Sequence, residues 1–173
     1  MRFPNKKHLI GPLLAVCGFI AAGSADAGSL PSPTDKPVLT ISGKIGVTNK
    51  DDTAQFDRGM LEALGMETVE TTTPWYSGPV KFEGVPLDKL MKEVEATGQR
   101  VSAVALNDYA SEIPIEDFAK YKVILALKRN GEYMPVRDKG PLFIVYPYDS
   151  NPELKNQTYY TRSVWQVARL VVK

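Results

Sequence analysis

The stretch V-K-F-E-G-V-P-L-D-K-L-M-K-E-V-E-A-T-G, residues 80–98, decides the fold class. Its first six residues, Val80 to Val85, predict a strand that runs into a turn. Pro86 then starts a helix, because the fixed φ of proline suits the first helical turn. The helix has an apolar face at helical spacing, formed by Leu87, Leu90, Met91 and Val94, and ends at Thr97-Gly98. A strand joined directly to a short helix indicates a domain that mixes both kinds of element.

The flanking sequence adds more strands than helices. Further strands are predicted at residues 38–45 (with a bulge at Gly43), 68–75, 101–106, 123–127, 142–146 and 165–172. A second helix is predicted over residues 53–65, with Thr53 as its N-cap and Gly65 as its stop, and one helical turn over 115–118. Asn107-Asp108-Tyr109 indicates a turn, and Asn130-Gly131 indicates a tight hairpin. The sum predicts an α+β domain with many short strands and two or three short helices.

The beginning of the chain has the pattern of a secretory signal peptide. Basic residues Arg2, Lys6 and Lys7 precede an apolar stretch over residues 9–22, and Ala25-Asp26-Ala27 offers small residues to signal peptidase. About 14 apolar residues are too few to span a bilayer core of roughly 30 Å. We therefore predict a signal peptide at residues 1–27, a flexible lead-in at 28–36, one domain at 37–173, and a periplasmic location without membrane insertion after cleavage.

The residue types that remain after residue 27 exclude several functions. The single histidine, His8, and the single cysteine, Cys17, both lie in the predicted signal peptide. The rest of the chain then has no disulfide, no thiolate nucleophile, no Ser-His or Cys-His dyad, and no zinc, copper or iron site built on imidazole or thiolate. It also carries 18 basic and 19 acidic residues, a net charge of −1, which argues against nucleic acid as a partner. We predict no catalytic residue and no protein-ligated metal, and favour a binding module over an enzyme.

Six clusters in the predicted turns share an order and spacing with a known family. They are Thr73-Pro74-Trp75-Tyr76, Phe82-Glu83-Gly84-Val85-Pro86-Leu87, Asn107-Asp108-Tyr109, Gly140-Pro141-Leu142, Tyr146-Pro147-Tyr148-Asp149 and Arg162-Ser163-Val164-Trp165. From about Thr40 to Val172 the chain resembles the sulfite-oxidase-type molybdopterin-binding domain. The resemblance implies that family's fold, with mixed, mostly antiparallel sheets.

The chain departs from the family's enzymes at the metal. Those enzymes hold molybdenum through the dithiolene of the pterin cofactor and a protein cysteine, and no cysteine follows Cys17 here. The resemblance therefore implies a pterin pocket without the metal centre. It points to the small exported branch of the family, whose expected role is to bind a reduced pterin and to regulate a membrane-bound cyclic-di-GMP enzyme. The implied protein partner is the periplasmic domain of such a membrane sensor.

A pterin is a flat, polar heteroaromatic, and its chemistry selects candidate residues. Rings of Trp75, Tyr109 or Trp165 could stack on it, a carboxylate of Asp149 or Asp108 could accept from its 2-amino and N3 hydrogens, and Arg162 or Ser163 could donate to its 4-oxo group. The expected pterin-binding set is Trp75, Tyr109, Asp149, Arg162, Ser163 and Trp165. Plainer roles stay open: Trp165 in the core, Tyr109 in a turn, and Asp149 paired with Arg162.

Two other functions remain as alternatives. One is an oxidoreductase subunit that carries a molybdenum cofactor through pterin contacts alone. The other is an exported interaction domain whose pocket is empty. Substitution of the pocket residues separates the last alternative from the others, because partner binding would then be unaffected.

Overall fold

The computed structural model describes residues 30–173, which form two five-stranded sheets and four short helices. The strands are β1 (Leu39–Gly43), β2 (Ala54–Phe56), β3 (Glu67–Thr73), β4 (Tyr76–Pro86), β5 (Arg100–Ala105), β6 (Ala110–Pro114), β7 (Ile124–Arg129), β8 (Glu132–Tyr133), β9 (Phe143–Val145) and β10 (Val167–Val172). The helices are α1 (Arg58–Ala63), α2 (Leu87–Glu93), α3 (Glu116–Lys120) and α4 (Gln157–Arg162). Three single 3-10 turns lie at 136–138, 148–150 and 152–154.

The strand pairing confirms a mixed, mostly antiparallel α+β fold. The first sheet has the order β2-β1-β10-β5-β6, and only the β1–β10 pair is parallel. The second has the order β3-β4-β7-β8, with β9 also paired to β7, and all of its pairs are antiparallel. The predicted Asn130-Gly131 hairpin joins β7 to β8, with φ of 51° and 87° at the two residues. Positive φ at both positions is what the type I′ two-residue hairpin turn requires.

Helix α2 begins where the sequence predicts it, but it ends at Glu93, before the predicted stop at Thr97-Gly98. It begins at Leu87, directly after Pro86, and its apolar face at Leu87, Leu90 and Met91 is buried. These side chains join one large core cluster with the inner faces of both sheets. Burying a Leu or Met side chain stabilises the fold by about 1.5–3 kcal/mol, so this face holds α2 in place.

The predicted helix over residues 53–65 begins later than expected, so its start was wrong. Ala54–Phe56 forms β2 instead, and Ala54 and Phe56 are fully buried opposite Ile41 and Leu39 of β1. Sheet pairing and burial outweigh helix propensity at these residues. Thr53 is therefore not the N-cap of α1. Asp57 is, and its carboxylate accepts from the Met60 N–H at 2.8 Å.

Besides β2, two other elements, β6 and α4, were not predicted. Helix α4 contains two tyrosines and two threonines, which are weak helix formers, and it has no clear apolar period. It depends on its N-cap instead: the side chain of Asn156 accepts from the N–H of Thr158 at 2.8 Å. Such a helix is stabilised by its cap and by tertiary packing.

The described part of the predicted lead-in, residues 30–36, makes specific contacts. The Asp57 carboxylate accepts from the N–H groups of Thr34 at 2.8 Å and Asp35 at 3.0 Å, and Leu30 is buried. The N–H groups of Met60, Asp35 and Thr34 lower the pKa of Asp57. The predicted signal peptide lies outside the described residues. Within residues 30–173, no helix is both long and apolar enough to cross a membrane.

Candidate functional site

A cavity opens where loops of the two sheets meet. The second sheet contributes Pro74-Trp75, the two-residue loop between β3 and β4. The first sheet contributes the end of β5 and the turn that follows it, and helix α4 with the segment after it closes the other side. The cavity therefore lies between elements that are far apart in sequence.

The cavity has a volume of about 420 Å³ and walls that are aromatic and uncharged. We call it the aromatic cavity. Its lining residues are Pro74, Trp75, Ala105, Asn107, Tyr109, Gln157, Tyr160, Thr161, Ser163, Val164 and Trp165. Four of the six residues expected from the sequence are therefore brought together, and their role in binding a pterin stays a prediction.

Trp75 is the centre of an aromatic cluster at the cavity wall. Its ring meets those of Phe143, Trp165, Tyr160 and Tyr148 edge-on, at centroid distances of 5.5, 5.5, 6.1 and 6.3 Å. Edge-to-face pairs at these distances are favourable and fix ring orientation. The two tryptophan planes are 80° apart and so form a rigid corner.

Trp165 and Tyr109 both lie at the cavity and face solvent. Trp165 is 38% exposed and Tyr109 is 47% exposed, which is high for aromatic residues. The ammonium group of Lys139 lies 5.3 Å from the Trp165 ring centroid, and only a weak bond at 3.5 Å joins the Tyr109 hydroxyl to the Thr161 carbonyl. Trp165 is therefore not a fully buried core residue, and both rings present surface to a ligand.

Ser163 is expected to donate to a ligand, but its hydroxyl already has partners. The residue is 2% exposed, and its hydroxyl donates to the Tyr159 carbonyl at 2.9 Å. The Tyr148 hydroxyl makes a short hydrogen bond to the hydroxyl oxygen of Ser163. Since Ser163 has one proton to donate, Tyr148 is the donor in that bond, and Ser163 has none left for a ligand.

The polar groups that line the cavity are amides and hydroxyls. The Asn107 side-chain oxygen accepts from the Tyr109 N–H at 3.2 Å, and its NH₂ has no partner within the described residues. The Gln157 NH₂ makes a weak bond to the Thr161 hydroxyl at 3.3 Å. These amides carry both donors and acceptors, so they can pair with a neutral polar ligand edge.

Asp149 lies outside the aromatic cavity, on the 3-10 turn that packs against the edge of β3. Its carboxylate accepts from the Thr72 N–H at 2.5 Å and the Thr72 hydroxyl at 2.6 Å, and pairs with Lys155 at 2.7 Å. Lys155 and Thr72 together hold the pKa of Asp149 well below its usual range. These contacts give Asp149 a structural role at the sheet edge.

Arg162 and Asp108 do not line the cavity either. Arg162 donates to the buried carboxylate of Asp117 at 2.8 Å, so it does not pair with Asp149 as one alternative had it. Asp108 pairs with Arg169 at 2.8 Å on the surface. The carboxylate and guanidinium expected to recognise a pterin are thus not among the lining residues.

Sequence reasoning missed the residues from α4, namely Gln157, Tyr160 and Thr161. The helix itself was not predicted, because its residues lack an apolar period. The signal that was present is Asn156, a strong N-cap residue before a short polar-aromatic run. Within the described residues, no group of three or more His, Cys, Asp and Glu side chains is placed to hold a metal ion.

Comparisons with known proteins agree with this fold. The model of the family described as oxidoreductase molybdopterin binding domain matches residues 55–149. The structure is similar to the sulfane dehydrogenase SoxCD from Paracoccus pantotrophus, with a TM-score of 0.55 and 20% identity over 78% of this chain. The match spans 37% of that chain. At this identity the likeness concerns the fold, and no curated protein sequence matches the chain.

Proposed function

Since this chain belongs to the oxidoreductase molybdopterin-binding domain family, we propose that it binds a reduced pterin in the aromatic cavity as a non-catalytic, exported regulator. The observation that carries the proposal is the set of uncharged aromatic walls around a volume of about 420 Å³. Ligand pockets of small molecules are typically about 300–1,000 Å³, mostly apolar, with a few polar groups.

The tryptophan corner fits a flat heteroaromatic ring. A flat ligand stacked on Trp165 would lie nearly perpendicular to the Trp75 ring, because the two tryptophan planes are 80° apart. Tyr109 stands at the same opening and is the most exposed aromatic ring of the lining. Offset stacking and edge contacts are the arrangements that aromatic rings prefer.

The polar lining fits the edge of a neutral pterin. That edge offers N–H donors beside a carbonyl acceptor, and an amide side chain presents the complementary acceptor and donor. Asn107 and Gln157 are the residues that would hold it, in place of the carboxylate and guanidinium expected from the sequence. A neutral site avoids the cost of removing a charged side chain from water when the ligand binds.

The lining fits the pterin ring better than a complete molybdenum cofactor. That cofactor carries a phosphate and a metal-bound dithiolene, and the lining has neither a cation nor a thiol. When bound, a reduced pterin supplies a readily oxidised ring. The chain's own residues would then bind that ring, orient it and cover part of it.

The regulatory part of the proposal is supported by the family resemblance and by the surface around the cavity. Leu106, Tyr109, Val136 and Trp165 are large apolar side chains, each at least 38% exposed. Tyr109 and Trp165 line the cavity, Leu106 lies in the chain between the lining residues Ala105 and Asn107, and the Val136 carbonyl accepts from the side chain of Gln166, the residue after Trp165. Exposed apolar clusters mark contact surfaces. We propose that the periplasmic domain of a membrane-bound cyclic-di-GMP enzyme docks there when the pterin is bound.

Ligand titration tests the binding site. Tetrahydropterin added to the purified protein should quench tryptophan fluorescence saturably at micromolar concentration. Tyr109→Ala should weaken binding by about 1–3 kcal/mol, the loss expected for one stacking ring. Tyr133→Ala is the matched control, since Tyr133 is a comparably exposed tyrosine outside the lining. No saturable binding, or equal losses in both variants, would refute the site.

The ligand that the protein carries when it is purified distinguishes the proposed function from its two alternatives. Protein purified from its own periplasm should release a pterin detectable by mass spectrometry, with molybdenum far below one atom per chain. Near-stoichiometric molybdenum would instead establish the oxidoreductase alternative. If tetrahydropterin also fails to bind, the empty interaction domain is the better description.

Docking of the sensor domain is tested separately from pterin binding. Val136→Asp should weaken capture of the sensor's periplasmic domain while leaving pterin affinity unchanged, because Val136 does not line the cavity. Capture that is equally strong with and without pterin would contradict ligand-dependent regulation.

A further inference from the structure

The outer edge of strand β3 has backbone groups that point away from the rest of its sheet. β3 is the last strand of the second sheet, and β4 is the strand that pairs with it. The Thr72 N–H points away from β4, because it donates to the Asp149 carboxylate. Successive residues of an antiparallel strand turn their backbone groups to alternate sides, so Glu70 and Thr68 also direct their N–H and C=O groups outward.

The contacts of β4 agree with this assignment. Lys81 lies opposite Glu70 in the register, and both its N–H and its C=O bond to Asn130 on the far side of β4. Lys81 and Glu70 therefore form a pair that exchanges no backbone hydrogen bonds. Within residues 30–173, no other element accepts from the backbone N–H of Glu70 or Thr68. Free N–H and C=O groups along a strand edge are a template for another strand.

This free edge lines a groove of about 500 Å³ on the protein surface. Strand β3 contributes Thr68 and Glu70 to the lining, the end of α3 contributes Lys120, and the turn after α3 contributes Lys122. We call it the polar groove. It shares no lining residue with the aromatic cavity, so it is a separate site.

Asp149 closes one end of the free edge. Its carboxylate accepts from the Thr72 N–H, and its own N–H donates to the Thr71 hydroxyl at 3.0 Å. A strand added in the polar groove can therefore pair along residues 67–71 of β3 but not beyond them. Such a strand is about five residues long, which is a common length for a strand in a sheet.

The charges of the polar groove select what can occupy it. Glu70, Lys120 and Lys122 have no ion-pair partner within the described residues. An added strand gains a favourable cross-strand pair by placing a basic residue opposite Glu70, and a second pair by placing an acidic residue near the two lysines. Strand β3 of a second copy would supply only acidic charges, because it contains two glutamates and no basic residue.

We propose that the polar groove binds an extended peptide segment of a partner protein, which joins the second sheet as a strand beside β3. The segment carries a basic residue opposite Glu70 and an acidic residue beside Lys120 and Lys122. Backbone hydrogen bonds to Thr68 and Glu70 supply affinity, and the charged contacts fix the register of the added strand.

The test uses the full chain without pterin, so its outcome does not depend on the proposed function. The probe is the peptide acetyl-Glu-Val-Lys-Val-Glu-amide, whose central lysine and outer glutamates match the groove whichever way the strand runs. Titration of isotope-labelled protein, followed by NMR, should give saturable shifts of the Thr68 and Glu70 amide signals, with a Kd of about 1 mM or lower. A probe with N-methylated backbone amides should not bind, because it keeps the side chains but cannot donate to β3.

A pair of substitutions tests the register. Glu70→Gln should weaken binding of the probe by up to about fivefold, the upper range for one charged cross-strand pair. The same variant should have no effect on a probe whose lysine is replaced by glutamine, because the pair is then already lost. Glu132→Gln is the matched control, since Glu132 is exposed on the short strand β8 and lies outside the groove.

Three results would overturn the proposal. One is the absence of saturable shifts at Thr68 and Glu70, and another is binding that survives methylation of the probe's backbone. The third is an equal loss of affinity in Glu70→Gln and Glu132→Gln, which would reduce the effect to overall charge.

Discussion

At the residue scale, Asp117 shows how a charged group is held inside this protein. The residue is 5% exposed, and its carboxylate accepts from the Arg162 guanidinium and the Tyr146 hydroxyl, at 2.8 and 2.7 Å. A buried carboxylate is stable only when its charge is paired and its lone pairs are used. The contact joins α3 to α4, so it also fixes one wall of the aromatic cavity.

We predict that Arg162→Met lowers the free energy of unfolding by about 3 kcal/mol, because it leaves a buried charge without a partner. Adding Asp117→Asn should recover much of this loss, since a neutral amide needs no counter-charge and can still accept from Tyr146. Urea denaturation of the two single variants and the double variant measures the coupling. Additive losses would contradict a direct charge pairing.

At the element scale, the pairing of β4 with β7 depends on Gly84. A Cβ atom built there would lie 2.2 Å from the Leu125 carbonyl oxygen, and the strand register shifts between Glu83 and Gly84. Both features indicate that the two backbones approach more closely than a side chain allows. Strand β4 leads directly into α2, so the position of this strand also sets the position of the helix.

Gly84→Ala should destabilise the protein by about 1–3 kcal/mol, because the backbone must shift to remove the clash. Gly59→Ala is the matched control. A Cβ there would make only ordinary contact with Asp57, at 3.5 Å. In helix α1 this change should be neutral or stabilising by up to about 1 kcal/mol. Thermal unfolding of both variants compares them, and equal melting temperatures would rule out a close approach at Gly84.

At the scale of the whole molecule, four separated chain segments build the aromatic cavity: residues 74–75, 105–109, 157–161 and 163–165. Each is held by a different part of the fold, namely the β3–β4 loop, the end of β5, helix α4 and the approach to β10. The lining contains no Asp, Glu, His, Lys or Arg side chain. Ligand affinity should therefore not follow the titration of such groups.

We expect the Kd for tetrahydropterin to stay within about twofold between about pH 5.5 and pH 8.5, apart from titration of the ligand itself. Ordinary carboxyl groups titrate near pH 4 and lysines above pH 10, so the proposed site has no group that changes charge in this window. Isothermal titration calorimetry in buffers of different ionisation enthalpy measures both Kd and proton uptake. Net proton exchange that the ligand cannot account for would mean that an ionisable residue enters the site.

The sequence alone was enough to predict the local elements of the structure. The strand at residues 80–85, the apolar face of α2 and the Asn130-Gly131 hairpin depend on neighbours in the chain, and the structure confirms them. The family resemblance and the chemistry of a pterin also selected four of the cavity residues, Trp75, Tyr109, Ser163 and Trp165. The absence of Cys and His after residue 27 is likewise a property of the sequence.

Only the tertiary structure decided which polar groups face the cavity. Asp149 and Arg162 looked suitable by type and by position in loops, but each is bound by a partner far away in sequence, Thr72 and Asp117. Sequence periodicity and turn chemistry depend on residues that are neighbours in the chain. A charged side chain instead pairs with a partner that the fold places beside it in space. The start of α1 and the existence of α4 were also set by such distant contacts, because sheet pairing and packing outweigh weak local preferences.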